Sequence, residues 1–413
     1  MRDGLPTAFP ALSADLQCDV AVIGAGISGA LAAWHLAEAG LRVVILDRRE
    51  VAHGSTAAST CLIQYELDEP LHRLERRYGW DAASYAYRRC RRAVHDLDRL
   101  IRKLRIACEY ENKASLLLAH GPSHCFSLRR EFEARRKACL DVEWWDRPRI
   151  RRSSDLPHPA GILSHDGAQL DDYHLAYGLL QAAMCRGAQV FDRTEITRTQ
   201  ANPKSVELRT RAGARVRASH VVVATGYEAD SAMATPLTEL HSTFAIISEP
   251  VAHFPGWPAG RCLIWETSDP YTYLRTTREG RIILGGYDVP FRDPRERGRL
   301  LPRKAAVLQR RFRQFFPSIP FQLAWSWAGT FARTADGLPF IGAHPNRPRT
   351  WLALGYGGNG ITFSLIAAEL IRDQILGRPN PDGGIFGFGR PSPGAWRTAV
   401  ARRNPGRPRL SLP

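Results

Sequence analysis

The chain has 413 residues, 44% hydrophobic and 24% charged, with a formal net charge of +16. That composition describes an ordinary globular protein with room for two or three domains, and it excludes a disordered or collagen-like chain. No apolar run reaches the roughly 20 residues of a membrane helix, and the opening MRDGLPTAFPALSADLQ has no apolar h-region, so no membrane span, no secretory signal and a cytoplasmic location are expected.

The first 17 residues, with Pro6 and Pro10, read as a loose arm. From Asp19 to Asp47 the sequence runs DVAVIGAGISGALAAWHLAEAGLRVVILD. An apolar strand enters Gly24, Ala25, Gly26, Ile27, Ser28 and Gly29; a helix follows, and a second apolar strand ends in an acid. These are the parts of a dinucleotide-binding βαβ unit in order. Gly24 permits the tight turn, Gly26 lets backbone N–H groups approach a pyrophosphate, and Gly29 lets the helix pack against the strand. The helix start favours phosphate through its free N–H groups and its dipole. Asp47, followed by Arg48, is placed to accept the adenosine ribose hydroxyls.

Gly54 is followed by the small residues Ser55, Thr56, Ala57, Ala58, Ser59 and Thr60. They read either as a Ser/Thr-rich turn or as a segment squeezed beside a ligand. Residues 71–140 are helical in character, with a strand at 115–120 and a basic helix at 123–139. Pro148, Pro157 and Pro159 mark a loop region. Asp171 or Asp172 caps a helix running to about Arg186, which Gly187 ends. Short strands lead to HVVVATG at 220–226, putting Ala224, Thr225 and Gly226 at a strand-end turn. A strand-rich block at about 240–330 carries TFAIISEP, YTYLRTT, RIILGGYD and FQLAWSWAGTF, broken by a helix near 303–315. Gly355, Gly357, Gly358 and Gly360 then open one last helix, GNGITFSLIAAELIRDQILG, with more glycines than one cap requires. After Gly377 the Pro/Gly/Arg-rich tail reads as loose.

The eight cysteines are scattered, with no CxxC and no metal-like Cys/His cluster, so reduced thiols are expected and no metal site. Only five lysines occur, so the positive excess is arginine, spread from Arg2 to Arg409. The densest basic cluster, from Arg88 to Arg105, falls on a stretch of helical character. A solvated helix face accounts for it better than a nucleic-acid partner.

HGSTAAST, LDDYHLAYGLL, HVVVATG, WAGTFARTADGLPFIG and LGYGGNGITFS stand in an order that resembles the D-amino-acid-oxidase-like flavoenzymes, over about residues 17–390. The resemblance implies an α/β fold: a discontinuous Rossmann-like FAD-binding domain (17–70, 155–226 and 328–380) with an inserted α+β substrate domain on a mixed or antiparallel sheet (71–154 and 227–327), and a loose tail at 381–413. It implies FAD rather than NAD. Ser55, Thr56, Ala58, Ser59 and Thr60 would then lie beside pyrophosphate and isoalloxazine, Ala224, Thr225 and Gly226 on the nucleotide side, and Gly329 near the flavin. Gly357, Gly358, Asn359, Gly360, Ile361 and Thr362 would present a helix start to the flavin pyrimidine edge, where negative charge develops on reduction.

The implied activity is oxidation of a small-molecule amine or amino acid, a hydride passing from carbon to flavin N5 and leaving an imine that hydrolyses, with O2 or another electron acceptor downstream. Sarcosine oxidases of this type hold the substrate carboxylate with a lysine near the position of Thr362, and use another lysine over the flavin for oxygen. Here neither is present, and the cysteine that links flavin covalently is replaced in the Trp-Ala-Gly turn by Gly329 and Thr330. Non-covalent FAD is expected. Candidate pocket residues are Gln64, Tyr65, Tyr271, Tyr273, Tyr287, Trp325, Trp327 and Thr362. Tyr287, Asp288 and Thr362 are the candidates for direct work on substrate, Asp288 as attractor of a cationic amine. Two other readings stay open at this level: a flavoprotein modifying a macromolecule such as tRNA, and a non-catalytic FAD-bound assembly protein.

Overall fold

The computed structural model describes residues 8–233, 236–291 and 293–390. Strand β1 (Leu16–Ile23) runs through the glycine turn into helix α1 (Ile27–Glu38), and the chain returns along β2 (Val43–Leu46). Then come β3 (Leu62–Ile63), α2 (Leu71–Tyr78) and α3 (Trp80–Leu104). Gly79, at φ 83, separates the last two, which the sequence joins in one helical stretch. They are followed by β4 (Glu111–Leu118), α4 (Cys125–Lys137), β5 (Val142–Asp146), α5 (Arg147–Ser153), β6 (Ala160–Gln169) and α6 (Asp172–Met184). Helix α5 corrects the loop expected at Pro148. Asp146 caps it by accepting the Arg149 N–H at 2.8 Å, and a proline in the first turn loses no helical hydrogen bond. Asp171 caps α6 through the His174 N–H, as expected.

Four strands come next: β7 (Gln189–Phe191), β8 (Ile196–Ala201), β9 (Val206–Thr210) and β10 (Arg215–Val223). The strand-rich block gives β11 (Glu239–Ser248), β12 (Leu263–Glu266), β13 (Thr272–Thr276) and β14 (Ile282–Val289), then α7 (Pro294–Phe315) and β15 (Leu323–Arg333). Helix α7 starts at Pro294 rather than near 303, because Asp293 accepts the N–H groups of Arg295 and Glu296. The chain closes with β16 (Phe340–Ala343), β17 (Thr350–Leu354), α8 (Gly360–Ile375) and the short α9 (Gly383–Phe386).

These strands make two sheets. The first has the order β16-β17-β10-β1-β2-β7; its inner pairs are parallel, and β9 with β8 forms an antiparallel extension from β10. The second has the order β15-β11-β14-β13-β12-β4-β6-β3, with β5 added on β6, and is antiparallel except for the β12–β4 pair. This is the expected α/β class, a parallel dinucleotide-type sheet beside a mixed one. Strands β3 and β6 join the second sheet although they lie in segments that the sequence groups with nucleotide binding.

The main core packs α1, α3, α6 and α8 together through Leu31, Trp34, Leu97, Leu179, Phe363 and Ile366. A second core seals α7 onto the mixed sheet through Phe244, Leu284, Leu308, Phe312 and Phe316. The described residues next to both termini are more tightly held than the sequence suggests. Phe9 and Leu12 are buried, and the Leu12 N–H donates to Thr194 Oγ1 at 3.0 Å. In α9, Ile385 and Phe386 are buried, and beyond it Arg390 pairs with Asp336 at 3.0 Å. The rest of the expected loose tail, 391–413, lies outside the described residues.

All eight cysteines are free thiols. The basic cluster of α3 is largely matched by acids: Arg91 to Asp166, Arg99 to Asp96, Arg102 to Asp98 and Lys103 to Glu38. Arg89 is buried between Asp382 and Glu369. The helix face is thus internally balanced, which weakens a polyanion-binding reading.

Candidate cofactor and active site

The glycine turn is fixed by contacts that leave no room for side chains. A Cβ on Gly24 (φ 105) would lie 2.5 Å from the Ala224 carbonyl oxygen, and one on Gly29 only 1.8 Å from the Gly24 carbonyl oxygen. Strand β1, strand β10 and helix α1 therefore touch through backbone. A Cβ on Gly26 would lie 2.9 Å from Thr56 Oγ1, which itself accepts the Ile27 N–H at 3.0 Å. The segment 55–60 is pressed onto the helix start through Thr56. Arg275 Nε and Trp327 Nε1 hold it from the mixed sheet by donating to the Thr60 and Ala58 carbonyls.

Asp47 braces the glycine turn. Its Oδ2 accepts the Ala25 N–H at 2.7 Å and its Oδ1 the Arg49 N–H at 2.8 Å. Arg48 pairs with Glu228 at 2.6 Å across the strand ends.

One cavity of about 1070 Å³ runs from this turn to the start of α8. It is lined by Gly24, Gly26, Ile27, Ser28, Asp47, Arg48, Ser55, Thr56, Ala58, Ser59, Thr60, Ala224, Thr225, Gly226, Gly329, Gly357, Gly358, Asn359, Gly360 and Ile361. Gly29 and Thr362 stand outside the lining. Gly29 serves the helix–turn contact. The buried Thr362 donates to the Gln64 carbonyl at 2.9 Å and does not line the cavity, so it is no candidate for contact with substrate. Asn359 Nδ2 donates to the Glu66 carbonyl at 2.8 Å, fastening the same segment. No side chain caps α1 or α8, although both starts open on the cavity.

The two other substrate-facing candidates also need correction. Tyr287 and Asp288 do not line the cavity. Tyr287, at φ 55, packs toward α7, and its carbonyl accepts Lys304 Nζ at 2.7 Å. Asp288 stands beside Thr243, Tyr271 and Tyr273, which do line the cavity, and neither carboxylate oxygen accepts a hydrogen bond. Burial lifts its pKa to about 6. Gln64 lines the cavity, Tyr65 is fully buried on Ser164, and Trp325 is 69% exposed on the outside of the sheet.

Several lining residues escape sequence reasoning. Asp68 and Arg333 flank the glycine loop before α8. Cys61 donates its thiol proton to Asp172 Oδ1 at 3.0 Å, and burial lifts Asp172 to about 7 while its Oδ2 stays unpaired. Glu66, Arg135 and Glu131 form a buried cluster. Burial opposes charge on Glu131, yet Arg135 and His72 hold it near 2. Each pairing joins segments far apart in the chain or needs a side-chain direction, so motif spacing carries no sign of it. Among the described residues no lysine lines the cavity.

The cavity suits a long dinucleotide cofactor. Two uncapped helix starts face it, and a Cβ on Gly26 or Gly357 would meet another side chain within 3 Å. Parallel sheet, glycine cradle and second helix start together define a dinucleotide-dependent oxidoreductase. The chain belongs to the family described as FAD dependent oxidoreductase, whose model matches residues 19–374.

Gamma-glutamylputrescine oxidoreductase of Escherichia coli (strain K12) is 26% identical over 381 residues, spanning 89% of this chain and 86% of that protein. Glycine oxidase of Bacillus licheniformis is 27% identical over 382 residues, spanning 87% and 94%. The crystal structure of glycine oxidase from Geobacillus kaustophilus superposes with a TM-score of 0.75 at 20% identity, covering 91% of this chain and 99% of that one.

Proposed function

We propose that the protein oxidises the C–N bond of an amine or amino acid and releases an imine that water hydrolyses. FAD, when bound, supplies the hydride acceptor. The observation that carries the reading is the single cavity in which the starts of α1 and α8 meet beside Thr243, Tyr271 and Tyr273. The relatives named above act on amines and amino acids by their names, and that supports the substrate class.

The residues divide the work. The start of α1, with Gly26, Ser28 and Thr56, holds the pyrophosphate, and Asp47 meets the ribose while bracing the turn. Ala224, Thr225 and Gly226 close the nucleotide side. Within segment 355–361, the uncapped start of α8 at Gly360 and Ile361 offers backbone N–H groups where negative charge accumulates on reduction. Tyr271 and Tyr273 border the substrate and exclude water, and Asp288 adds negative potential from behind them. Segments 17–70, 155–226 and 328–380 supply most cofactor contacts; 71–154 and 227–327 supply the substrate wall. Non-covalent attachment follows from Gly329 and Thr330, and acid precipitation should release the flavin into the supernatant.

The test is anaerobic mixing of the purified yellow protein with a panel of amines and amino acids, followed by admission of oxygen. Bleaching of flavin absorbance by at least one compound, with ammonia or an amine released, supports the reading. Recolouring in air identifies O2 as acceptor; persistent bleaching points to another acceptor. A panel that leaves the flavin oxidised contradicts amine oxidation.

A further inference from the structure

Asp68 is the acid that reaches the glycine loop before α8. Its Oδ2 accepts the Gly358 N–H at 3.0 Å, and among the described residues its Oδ1 accepts no hydrogen bond. A Cβ on Gly357 would fall 2.1 Å from Asp68 Oδ2. A Cβ on Gly358 would lie 3.0 Å from Asp68 Oδ1 and 3.7 Å from the Tyr271 hydroxyl, so carboxylate and phenol border the same spot. Asp288 stands close enough to feel the Asp68 charge, and both its oxygens are buried without a donor. The Arg333 side chain makes no hydrogen bond or ion pair with the described residues. It lies on the wall shared with a smaller cavity of about 220 Å³; burial raises the pKa of both acids, and the Arg333 field opposes that rise.

On this wall the Asp68 carboxylate and the Arg333 guanidinium stand unpaired with each other, Lys304 offsets Asp288 behind it, and Asp68 Oδ1 is left short of a donor among the described residues. A carboxylate holding the reacting nitrogen would keep that nitrogen protonated, and a protonated amine has no lone pair to drive hydride loss from the neighbouring carbon. The Asp68 carboxylate therefore suits a nitrogen other than the one being oxidised.

We propose that Asp68 Oδ1 binds a second, protonated nitrogen of the substrate, and that the enzyme acts on diamines or polyamines in preference to monoamines and α-amino acids. This rests on the amine-oxidation reading above. Asp68 is then a specificity residue: it anchors the far nitrogen against the loop of Gly357 and Gly358, and the neutral amine is left at the other end.

The test uses the FAD-loaded protein and a terminal diamine whose nitrogen-bearing carbons are fully methylated. That compound has no hydrogen to transfer, so binding is read directly from the shift in flavin absorbance. The matched monoamine is titrated beside it. The diamine should bind about tenfold tighter or more, the scale of a charge-assisted hydrogen bond. In Asp68→Asn, which keeps an oxygen for the Gly358 N–H and loses only the charge, the ratio should fall toward one. Equal binding of the two amines to the wild type overturns the proposal. So does a ratio that survives in Asp68→Asn, or tighter binding of α-amino acids that Arg333→Gln abolishes. If the diamine binds as expected but oxidisable amines leave the flavin oxidised, amine oxidation fails and the Asp68 site stands. If monoamines and diamines reduce the flavin with equal efficiency, the site fails and amine oxidation stands.

Discussion

The first turns of α1 and α8 meet through Ser28 and Ser364, whose hydroxyl oxygens lie 2.7 Å apart although 336 positions separate them in the chain. Ser364 donates to the Gly360 carbonyl at 2.6 Å, so it is left to accept from Ser28. This contact sets the distance between the two helix starts that share the cavity. Ser364→Ala should remove both bonds and lower stability by about 1–2 kcal/mol. Flavin retention on gel filtration should weaken with it. Thermal melts with and without added FAD check both effects.

Gly29→Ala should be far more damaging than its chemistry suggests. The added carbon would sit 1.8 Å from the Gly24 carbonyl oxygen, which is backbone and cannot swing aside. Overpacking on this scale costs about 1–3 kcal/mol or more and must displace the turn. The expected product is colourless protein with a lowered Tm, measured by absorbance and calorimetry.

Asp172 gives a pH signature. Burial raises its folded pKa from 3.8 to about 7. Between those values the folded protein keeps a proton that the unfolded chain releases, so the group's contribution to stability falls as pH rises through that window and levels off above it. The size is on the order of a few kcal/mol. Cys61, Asp171 and Arg275 are the charged or titratable groups that face it, and Arg275 moderates the effect. Asp172→Asn should flatten this part of the profile and gain on wild type at pH 8 relative to pH 5. Urea unfolding of the flavin-free protein at the two values decides it.

Arg89 ties the C-terminal segment to α3. Its guanidinium is buried, with Nε 2.7 Å from Asp382 and a second contact to Glu369. Asp382→Ala leaves that charge short of its main partner and should cost about 3–5 kcal/mol. Truncation after Leu376 should destabilise the protein at least as much, because it also uncovers Phe363 from Phe386. A truncated chain as stable as the full one would return this segment to the loose tail that its composition suggests.

These cases mark what sequence carries. The βαβ unit at 19–47 is legible because each of its residues has a local backbone reason, and the glycine-rich start of α8 is legible for the same cause. The Asp293 and Asp146 caps could have been found by closer reading of cap chemistry. Asp68 could not: its partner Gly358 lies 290 positions away. Nor could the side on which Tyr287 and Thr362 face, since a glycine-rich strand end and a helix start leave that direction open until packing fixes it.

Asp288→Asn should reduce the rate of flavin reduction by a cationic substrate and have less effect on a neutral one, because the side chain acts through its field from behind Tyr271 and Tyr273. Rapid-mixing traces with both kinds of substrate check this split.

The most direct measurement of the central claim is the rate of anaerobic flavin bleaching by a reactive amine carrying deuterium on the carbon next to nitrogen. Transfer of that hydrogen to the cofactor in this cavity predicts a severalfold slower bleaching than with the ordinary amine. Equal rates for the two, with chemistry rather than binding limiting, would contradict it.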